Sequence, residues 1–360
     1  MTTDCEERLE IVTTIERAEA IAGAWADLWQ DAQALVFQNH AWIMGWWKGT
    51  EPEHRTLQIV LAWRGERLDA VLPLVKQRRR GLWMLEWVAR DFSDYCDAIM
   101  RPGVDPAVLR RMWELLWNRG GFDVVQLNRF LPAAAARALL GHGSKLRPHT
   151  RNELSLRVVG PWAGSQAWFD QQTKKTRQNY RRGVKVMSEN AAYGFRLLGD
   201  GEPLAPVLGR LAELKRLWLA RNGLAAPLFD ERSQALAAFA RVLAANGLLR
   251  IFVLERDGVI IAISLNFVQN GSMMAYLTSY DPEYERASPG MVLMVDYIKW
   301  SIEQGVALVD FLCGAEEFKG RFAGESVALD SYVAARSYRG RAALVADRLV
   351  HRLKALRTKS

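Results

Sequence analysis

The sequence predicts an α+β protein built of two similar domains in tandem, and three observations predict it. The 360 residues suit about two domains of ordinary size. The order helix, helix, hairpin, strand, helix, strand is legible twice along the chain. Apolar residues make up 50% and charged residues 24%, the balance of a chain that folds around a core and not of a disordered or fibrous one. Each domain is expected to be a mixed, mostly antiparallel sheet flanked by helices.

The first half opens with an amphipathic helix, Ala18 to Gln30, and the aromatic helical stretch Trp42 to Trp47. Apolar runs then mark strands at Leu57 to Arg64, Arg67 to Val75 and Leu82 to Val88, the first two joined across Gly65-Glu66. A helix from Asp105 to Asn118 leads to strands Phe122 to Leu127 and Glu153 to Val158. In the second half, helices Leu204 to Arg221 and Glu231 to Ala245 precede strand Leu248 to Glu255. Asp257-Gly258 is a two-residue hairpin signal leading into Val259 to Val268. Strand Met273 to Ser279, helix Met291 to Gln304, strand Val306 to Leu312 and a last strand near Val327 to Val333 complete the order. These readings divide the chain into an N-terminal domain over 1–160, a basic linking helix over 161–192, a C-terminal domain over 193–336 and a basic tail over 337–360.

The net charge of +8 is unevenly placed. Ten basic and three acidic residues lie between Lys145 and Asn190, and eight basic residues and one acid between Arg336 and Ser360. Two cationic islands therefore sit on a near-neutral body, a distribution suited to phosphates or an anionic surface. Taken singly, each of these side chains is explained first by solvation of a helix face. Cys5, Cys96 and Cys313 are scattered, and the five histidines show no paired spacing, so neither a disulfide framework nor a metal site is expected. No Gly-x-Ser-x-Gly elbow occurs, and Gly141-His142-Gly143-Ser144-Lys145 lacks phosphate-loop spacing. No apolar run reaches the roughly 18 residues of a membrane span. The acidic start is unlike a secretory signal, and the expected location is the cytoplasm.

One long helix is expected from about Ser165 to Glu189. Phe169, Thr173, Thr176, Tyr180, Val184 and Met187 recur at steps of three and four as one buried stripe. Lys174, Arg177, Arg181 and Lys185 share another face. Like charges at that spacing repel, so either an anion or acids from elsewhere in the fold must meet the row. Farther on, Ser288 reads as a helix N-cap, Pro289 as its first turn and Gly290 as room for close approach of a ligand. Bare N–H groups at such a helix start, Ser288 to Met291, would seat a diphosphate. An ordinary Ser-Pro helix start fits the same residues. Asp310 lies inside the apolar strand Val306 to Leu312 and needs a partner such as Lys319, Arg321 or a backbone donor. It either caps the following turn or acts on substrate.

Several passages together resemble the GNAT acyltransferases. They are Ala70-Val71-Leu72-Pro73-Leu74, Ser93-Asp94-Tyr95-Cys96-Asp97, Lys175-x-Arg177-x-Asn179-Tyr180-Arg181-Arg182, Ser288-Pro289-Gly290 and Asp310-Phe311-Leu312-x-Gly314-x-Glu316-x-Phe318-Lys319-x-Arg321-Phe322. The two-domain whole is similar to the tandem-GNAT group, with the CelD-type proteins of cellulose and exopolysaccharide gene clusters and, more distantly, the Fem-type aminoacyl-tRNA peptidyltransferases. The resemblance implies two tandem GNAT-like domains, the first degenerate. It implies an acyl-CoA donor, expected to be acetyl-CoA, lodged where Met273 to Ser279 and Val306 to Leu312 splay. The donor's diphosphate would lie on Ser288, Pro289, Gly290 and Met291. The usual Arg/Gln-x-x-Gly-x-Gly/Ala run is reduced here to Arg286-Ala287-Ser288-Pro289-Gly290. Phe318-Lys319-x-x-Phe322 is similar to the Fem-type Phe-Lys-x-x-Phe segment, which implies for Lys319 a part in acyl transfer.

The expected reaction moves an acyl group to an amine or hydroxyl of a sugar or lipid-linked precursor in exopolysaccharide or cell-envelope metabolism. Asp310 or Glu316 is the expected base, Tyr280 or Tyr284 the acid for the leaving thiolate, and Lys319 an alternative oxyanion stabiliser. Lys174, Arg177, Arg181, Lys185 and Arg321 are the expected anion contacts, and no metal takes part. Two alternatives stay open: Fem-type transfer from charged tRNA, the only reading that calls for a nucleic acid, and a non-catalytic scaffold of a polysaccharide-synthesis complex. In the tail, Val345, Leu349, Leu353 and Leu356 lie beside Arg341, Arg348 and Arg352. This basic amphipathic helix either touches the inner face of the membrane or packs on the body.

Overall fold

A computed structural model describes residues 6–50, 54–141, 143–149, 153–199, 201–230 and 233–357, with the side chains of Pro227 and 351–357 left aside. The fold is α+β, and the chain groups into two compact units. One comprises Met1–Trp47, Glu51–Glu153 and Ala328–Ser360, the other Lys48–Thr50 and Leu154–Val327.

In chain order the first unit contains β1 (Glu7–Val12), α1 (Ile15–Ala20), α2 (Ala22–Asp31), α3 (His40–Gly49), β2 (Arg55–Arg64), β3 (Arg67–Arg79), β4 (Leu82–Trp87), β5 (Ile99–Met100), α4 (Ala107–Arg119), β6 (Val124–Phe130) and β7 (Arg147–Pro148). The second contains β8 (Glu153–Val159), α5 (Ser165–Gln171), α6 (Lys174–Ser188), β9 (Tyr193–Leu197), α7 (Leu204–Arg221), α8 (Ala235–Ala245), β10 (Leu249–Arg256), β11 (Val259–Gln269), β12 (Ser272–Tyr280), α9 (Pro289–Glu303), β13 (Leu308–Cys313) and α10 (Glu317–Gly320). Last come β14 (Glu325–Ala335) and α11 (Tyr338–Arg357). The expected helix start at Glu231 lies outside the described residues; α8 begins at Ala235.

The two units repeat one plan. In the first, β2, β3 and β4 are antiparallel neighbours, α4 crosses over, and β6 returns parallel to β4, with Met84 opposite Val124 and Glu86 opposite Gln126. In the second, β10, β11 and β12 are antiparallel, α9 crosses over, and β13 returns parallel to β12. A helix crossover is the ordinary route between parallel strands. Asp257 and Gly258 both have positive φ, 51° and 77°, as the tight β10–β11 turn requires. The central strands are buried along most of their length, which is why β2, β3 and β11 read as near-continuous apolar runs. One core gathers Trp87, Phe130, Leu109 and Met112; the other gathers Phe252, Tyr297, Val292 and Phe311.

The structure departs from the sequence reading at several points, among them the expected helix Ala18 to Gln30, which is two helices, α1 and α2, and the unexpected strand β1. The last strands are exchanged: β14, read as closing the second half, pairs β6 over Asp330–Ala335. Likewise β8, read as closing the first half, pairs β13. The long central helix is two helices, α5 and α6. The break falls at Thr173, whose extended backbone (φ −56°, ψ 149°) and hydroxyl cap α6 by accepting the Thr176 N–H at 3.2 Å. Within α6 the expected stripe faces inward, with Thr176 and Met187 buried and Tyr180 and Val184 half-buried. Finally, β9 was not expected; it pairs β10 with Tyr193, Phe195 and Leu197 in alternation.

Among the described residues no helix is long and apolar enough to cross a membrane. In α11, Ala343, Leu344 and Asp347 are half-buried, and Asp347 lies 3.2 Å from the His149 ring nitrogen Nε2. Val345 and Leu349 of the expected stripe are 55% and 54% exposed. The side chains of Arg352, Leu353 and Leu356 lie outside the described residues.

Two half-buried acids carry a pH consequence. Asp97 and Asp296 are each pushed up to about 6, first by burial, although three backbone N–H groups reach Asp97 and the Tyr180 hydroxyl donates to Asp296 at 2.6 Å. A carboxyl with a raised folded-state pKa stabilises the fold fully below about pH 4, and that contribution is lost as pH rises through about 6. Asp296→Asn, which keeps an acceptor for Tyr180, is therefore expected to stabilise the chain relative to the parent at pH 7.5 by on the order of 2 kcal/mol and not at pH 4. Urea unfolding of both proteins at the two pH values checks it.

Candidate active site

The site begins where β12 and β13 part. Ser272, Met273 and Met274 pair with Leu308, Val309 and Asp310, and there the parallel ladder stops. Both strands are irregular at this point. On β12 the register against β11 jumps from Leu265–Leu277 to Asn266–Ala275, a bulge at Tyr276. On β13 the register against β8 jumps from Asp310–Arg157 to Cys313–Ser155, and Leu312 sits at φ 59°, strained for a leucine. The strands diverge, and the β12 edge beyond Met274 has no partner on its β13 side.

The divergence opens a cleft of about 450 Å³. Thr278, Ser279 and Tyr280 of β12 form one wall, and Ser288, Gly290, Met291 and Met294 at the start of α9 another. Glu285 of the turn before α9, Glu316, Phe318 and Phe322 beyond β13, and Lys215 and Trp218 of α7 complete it. The Thr278 hydroxyl lies 2.8 Å from that of Ser264, which donates to Asn266 at 2.7 Å, so a buried polar chain ends at the cleft wall.

The residues expected at the helix start are here, in altered form. Residues 282–287 fold as a 3-10 turn that ends on Ser288 in the left-handed region, φ 54° and ψ 53°. Ser288 makes no side-chain capping bond. Its carbonyl accepts the Met291 and Val292 N–H groups at 3.0 and 3.1 Å, and its own N–H donates to Glu285 at 2.9 Å. Pro289 has no N–H, so the expected row of bare amides at Ser288 to Met291 reduces to one, Gly290. A Cβ at Gly290 would lie 3.1 Å from the Tyr280 ring, so glycine is what lets that ring pack on the helix start. Burial and the charge of Glu285 push the Tyr280 hydroxyl up, which keeps it a proton donor.

The acids and bases fall differently from the sequence reading. Asp310 is 2% exposed and outside the cleft lining. It accepts from Ser155 at 2.7 Å, Arg157 Nε at 3.0 Å and the Leu312 N–H at 2.8 Å. Its partners are therefore not Lys319 or Arg321, and it clamps the β13 kink. Glu316 lines the cleft and pairs with Lys319 at 2.8 Å. Lys319 also donates to the carbonyls of Cys313 and Gly314 at 3.3 and 3.4 Å, tying down the turn after β13. Arg321 lies outside the lining, on an exposed turn, bonded to Glu317 at 3.3 Å.

Of the cationic row on α6, Arg177 turns back to donate to the carbonyls of Asp170 and Gln172, which closes α5. Lys174, Arg181 and Lys185 are exposed, as are Lys175 and Arg182, and none pairs with a described acid. The helix crosses the loop before α9 at Gly183, where a Cβ would lie 2.4 Å from the Ala287 carbonyl oxygen. Arg182 reaches the Arg286 carbonyl at 3.4 Å. Arg182 thus stands beside the α9 start.

Sequence reasoning missed Lys215 and Trp218. On a helix such as α7 a single lysine gives no signal that separates a cleft wall from a solvated face. Among the described residues no group of three His, Cys, Asp or Glu is disposed to hold a metal.

Residues 174–320 match the family model described as an acetyltransferase (GNAT) domain. No curated protein matches the chain. Among solved structures, the C-terminal domain of a putative lysylphosphatidylglycerol synthetase from Agrobacterium fabrum is similar at 14% identity and a TM-score of 0.58, over 91% of this chain and 96% of that one. FemX is similar at 9% identity and a TM-score of 0.56, over 92% and 97%. A conserved protein of unknown function from Bacteroides thetaiotaomicron is similar at 12% and 0.55, over 90% and 100%. These likenesses are of fold and extend over both units. The parted parallel strands and the cleft beside them fall in the stretch that matches the GNAT domain model.

Proposed function

We propose that the β12–β13 cleft transfers an acyl group, acetyl being the expected one, from acyl-coenzyme A to an amine or hydroxyl. The observation that carries this is the cleft itself, open at the point where the β12 edge loses its partner and α9 begins. The thioester carbonyl would lie against the unpaired β12 edge, whose N–H groups stabilise the oxyanion as the acceptor attacks; one such donor is worth ~3 kcal/mol. Glu316, the carboxylate of the cleft past β13, takes the acceptor's proton, and the Tyr280 hydroxyl returns one to the departing thiolate. The C–S bond breaks as the C–N or C–O bond forms. Gly290 N–H, with Arg182 on the adjoining α6, supplies the diphosphate contacts. The acceptor class follows the resemblance: a sugar or lipid-linked precursor of exopolysaccharide or cell envelope, with the exposed Val345 and Leu349 of the basic tail as a peripheral membrane contact.

A second reading, transfer from aminoacyl-tRNA, is favoured by one observation. A single free amide is a poor diphosphate seat, whereas five unpaired cations on α6 suit a longer phosphate chain. Calorimetric titration of the full chain with acetyl-coenzyme A tests the choice. Saturable binding is expected for the first reading; no heat at about 1 mM ligand, a Kd too weak for about 4 kcal/mol, contradicts it. Binding of charged tRNA that collapses with added salt would instead carry the second, and neither response would leave a scaffold.

A further inference from the structure

We propose that Lys215 is a recognition point for an anionic group, a carboxylate or phosphate, on the molecule that enters the β12–β13 cleft. The inference rests on the reading of that cleft as an acyl-transfer site, and it narrows the substrate to one that bears negative charge beyond the coenzyme. Three charged side chains line the cleft: Lys215, Glu285 and Glu316. Both carboxylates already have cations of their own. Glu285 pairs with Arg221 at 3.0 Å and Glu316 with Lys319 at 2.8 Å. Lys215 has no described carboxylate within 4 Å and donates to no described acceptor. The wall therefore carries one uncompensated positive charge.

The ammonium is also held in place. It lies 4.5 Å from the centroid of the Trp218 ring, one turn along α7, and that ring is itself part of the wall. A half-buried lysine resting on an aromatic face gives up less side-chain freedom on meeting a ligand than one in open water. Its surroundings lower its pKa, by burial first and by Lys319 in addition, while Glu316 opposes them. An arriving anion reverses that balance, since it pairs the one charge the cleft leaves open.

The anionic group belongs either to the acyl chain or to the acceptor, and paired probes separate these. In the donor arm, succinyl-coenzyme A is compared with butyryl-coenzyme A by calorimetry. In the acceptor arm, β-alanine is compared with propylamine by thiol release. Each pair differs in a carboxylate, and each is run on the parent, Lys215→Met and Lys215→Arg. One arm is expected to favour the anionic member by about tenfold to a hundredfold in the parent and in Lys215→Arg, with the preference lost in Lys215→Met. A third measurement needs no coenzyme. The acetic anhydride labelling rate at Lys215, read by mass spectrometry against exposed Lys145, is expected to fall severalfold in about 10 mM succinate or pyrophosphate. If labelling is slowed but no acyl-coenzyme A binds, the anion site stands and the acyl-transfer reading falls. If acetyl-coenzyme A binds but neither labelling nor preference depends on Lys215, the anion site is overturned and the acyl-transfer reading stands. Loss of turnover in Lys215→Arg with a displaced pH profile would overturn it too, in favour of a proton-transfer role.

Discussion

Asp310→Ala is expected to destabilise the second unit by about 3–5 kcal/mol, the cost of removing one partner from a buried ion pair. The change takes away the carboxylate that Arg157 and Ser155 both address and the acceptor that holds the Leu312 N–H. Leu312 keeps its left-handed φ only because the kink is fixed from several sides, so the kink is expected to relax as well. A loss of that size is a large share of the ~5–15 kcal/mol that holds a typical domain together. Denaturant unfolding measures it. If the variant does not fold, Asp310→Asn provides the milder case, keeping the acceptor for Leu312 while losing the charge. Unchanged stability together with abolished turnover would return Asp310 to the role of catalytic base and sink the clamp.

Gly290→Leu is expected to do the reverse, abolishing donor binding while the fold survives. Gly290 is helical and has no positive φ, so a side chain is tolerated by the backbone, and helix propensity favours leucine by ~1 kcal/mol. The new side chain, however, starts 3.1 Å from the Tyr280 ring and grows into the cleft at the one helix-start position with a free N–H. Acetyl-coenzyme A affinity is expected to fall at least about a hundredfold, roughly 3 kcal/mol, with the urea midpoint nearly unmoved. Retained affinity in a folded variant would mean that the donor does not use this mouth.

Local chemistry made part of this legible in the residues. The Asp257-Gly258 turn, the Pro289 helix start and the apolar runs of β11 and β13 each state their conformation within a few positions. Long-range partnership is another matter. Arg157 meets Asp310 across 153 positions, and the exchange of β8 and β14 depends on which edge each chain segment reaches; neither leaves a local mark. Thr173 misled because it falls in register with the apolar stripe, yet its hydroxyl competes for the backbone and starts a new helix. The N–H groups at Ser288 and Met291 were expected to be open because the first N–H groups of a helix lack partners within it. The preceding 3-10 turn instead delivers Ser288 in the left-handed region with its carbonyl already aimed at the helix.

The central claim is that the acyl donor lodges between the parted ends of β12 and β13. Amide hydrogen exchange of the full chain, with and without saturating acetyl-coenzyme A, tests it most directly. The expected result is slowed exchange confined to β12 beyond Met274 and to the first turn of α9, with the core of the first unit unchanged. Saturating ligand that leaves both segments unprotected, or that protects the first unit alone, would contradict it.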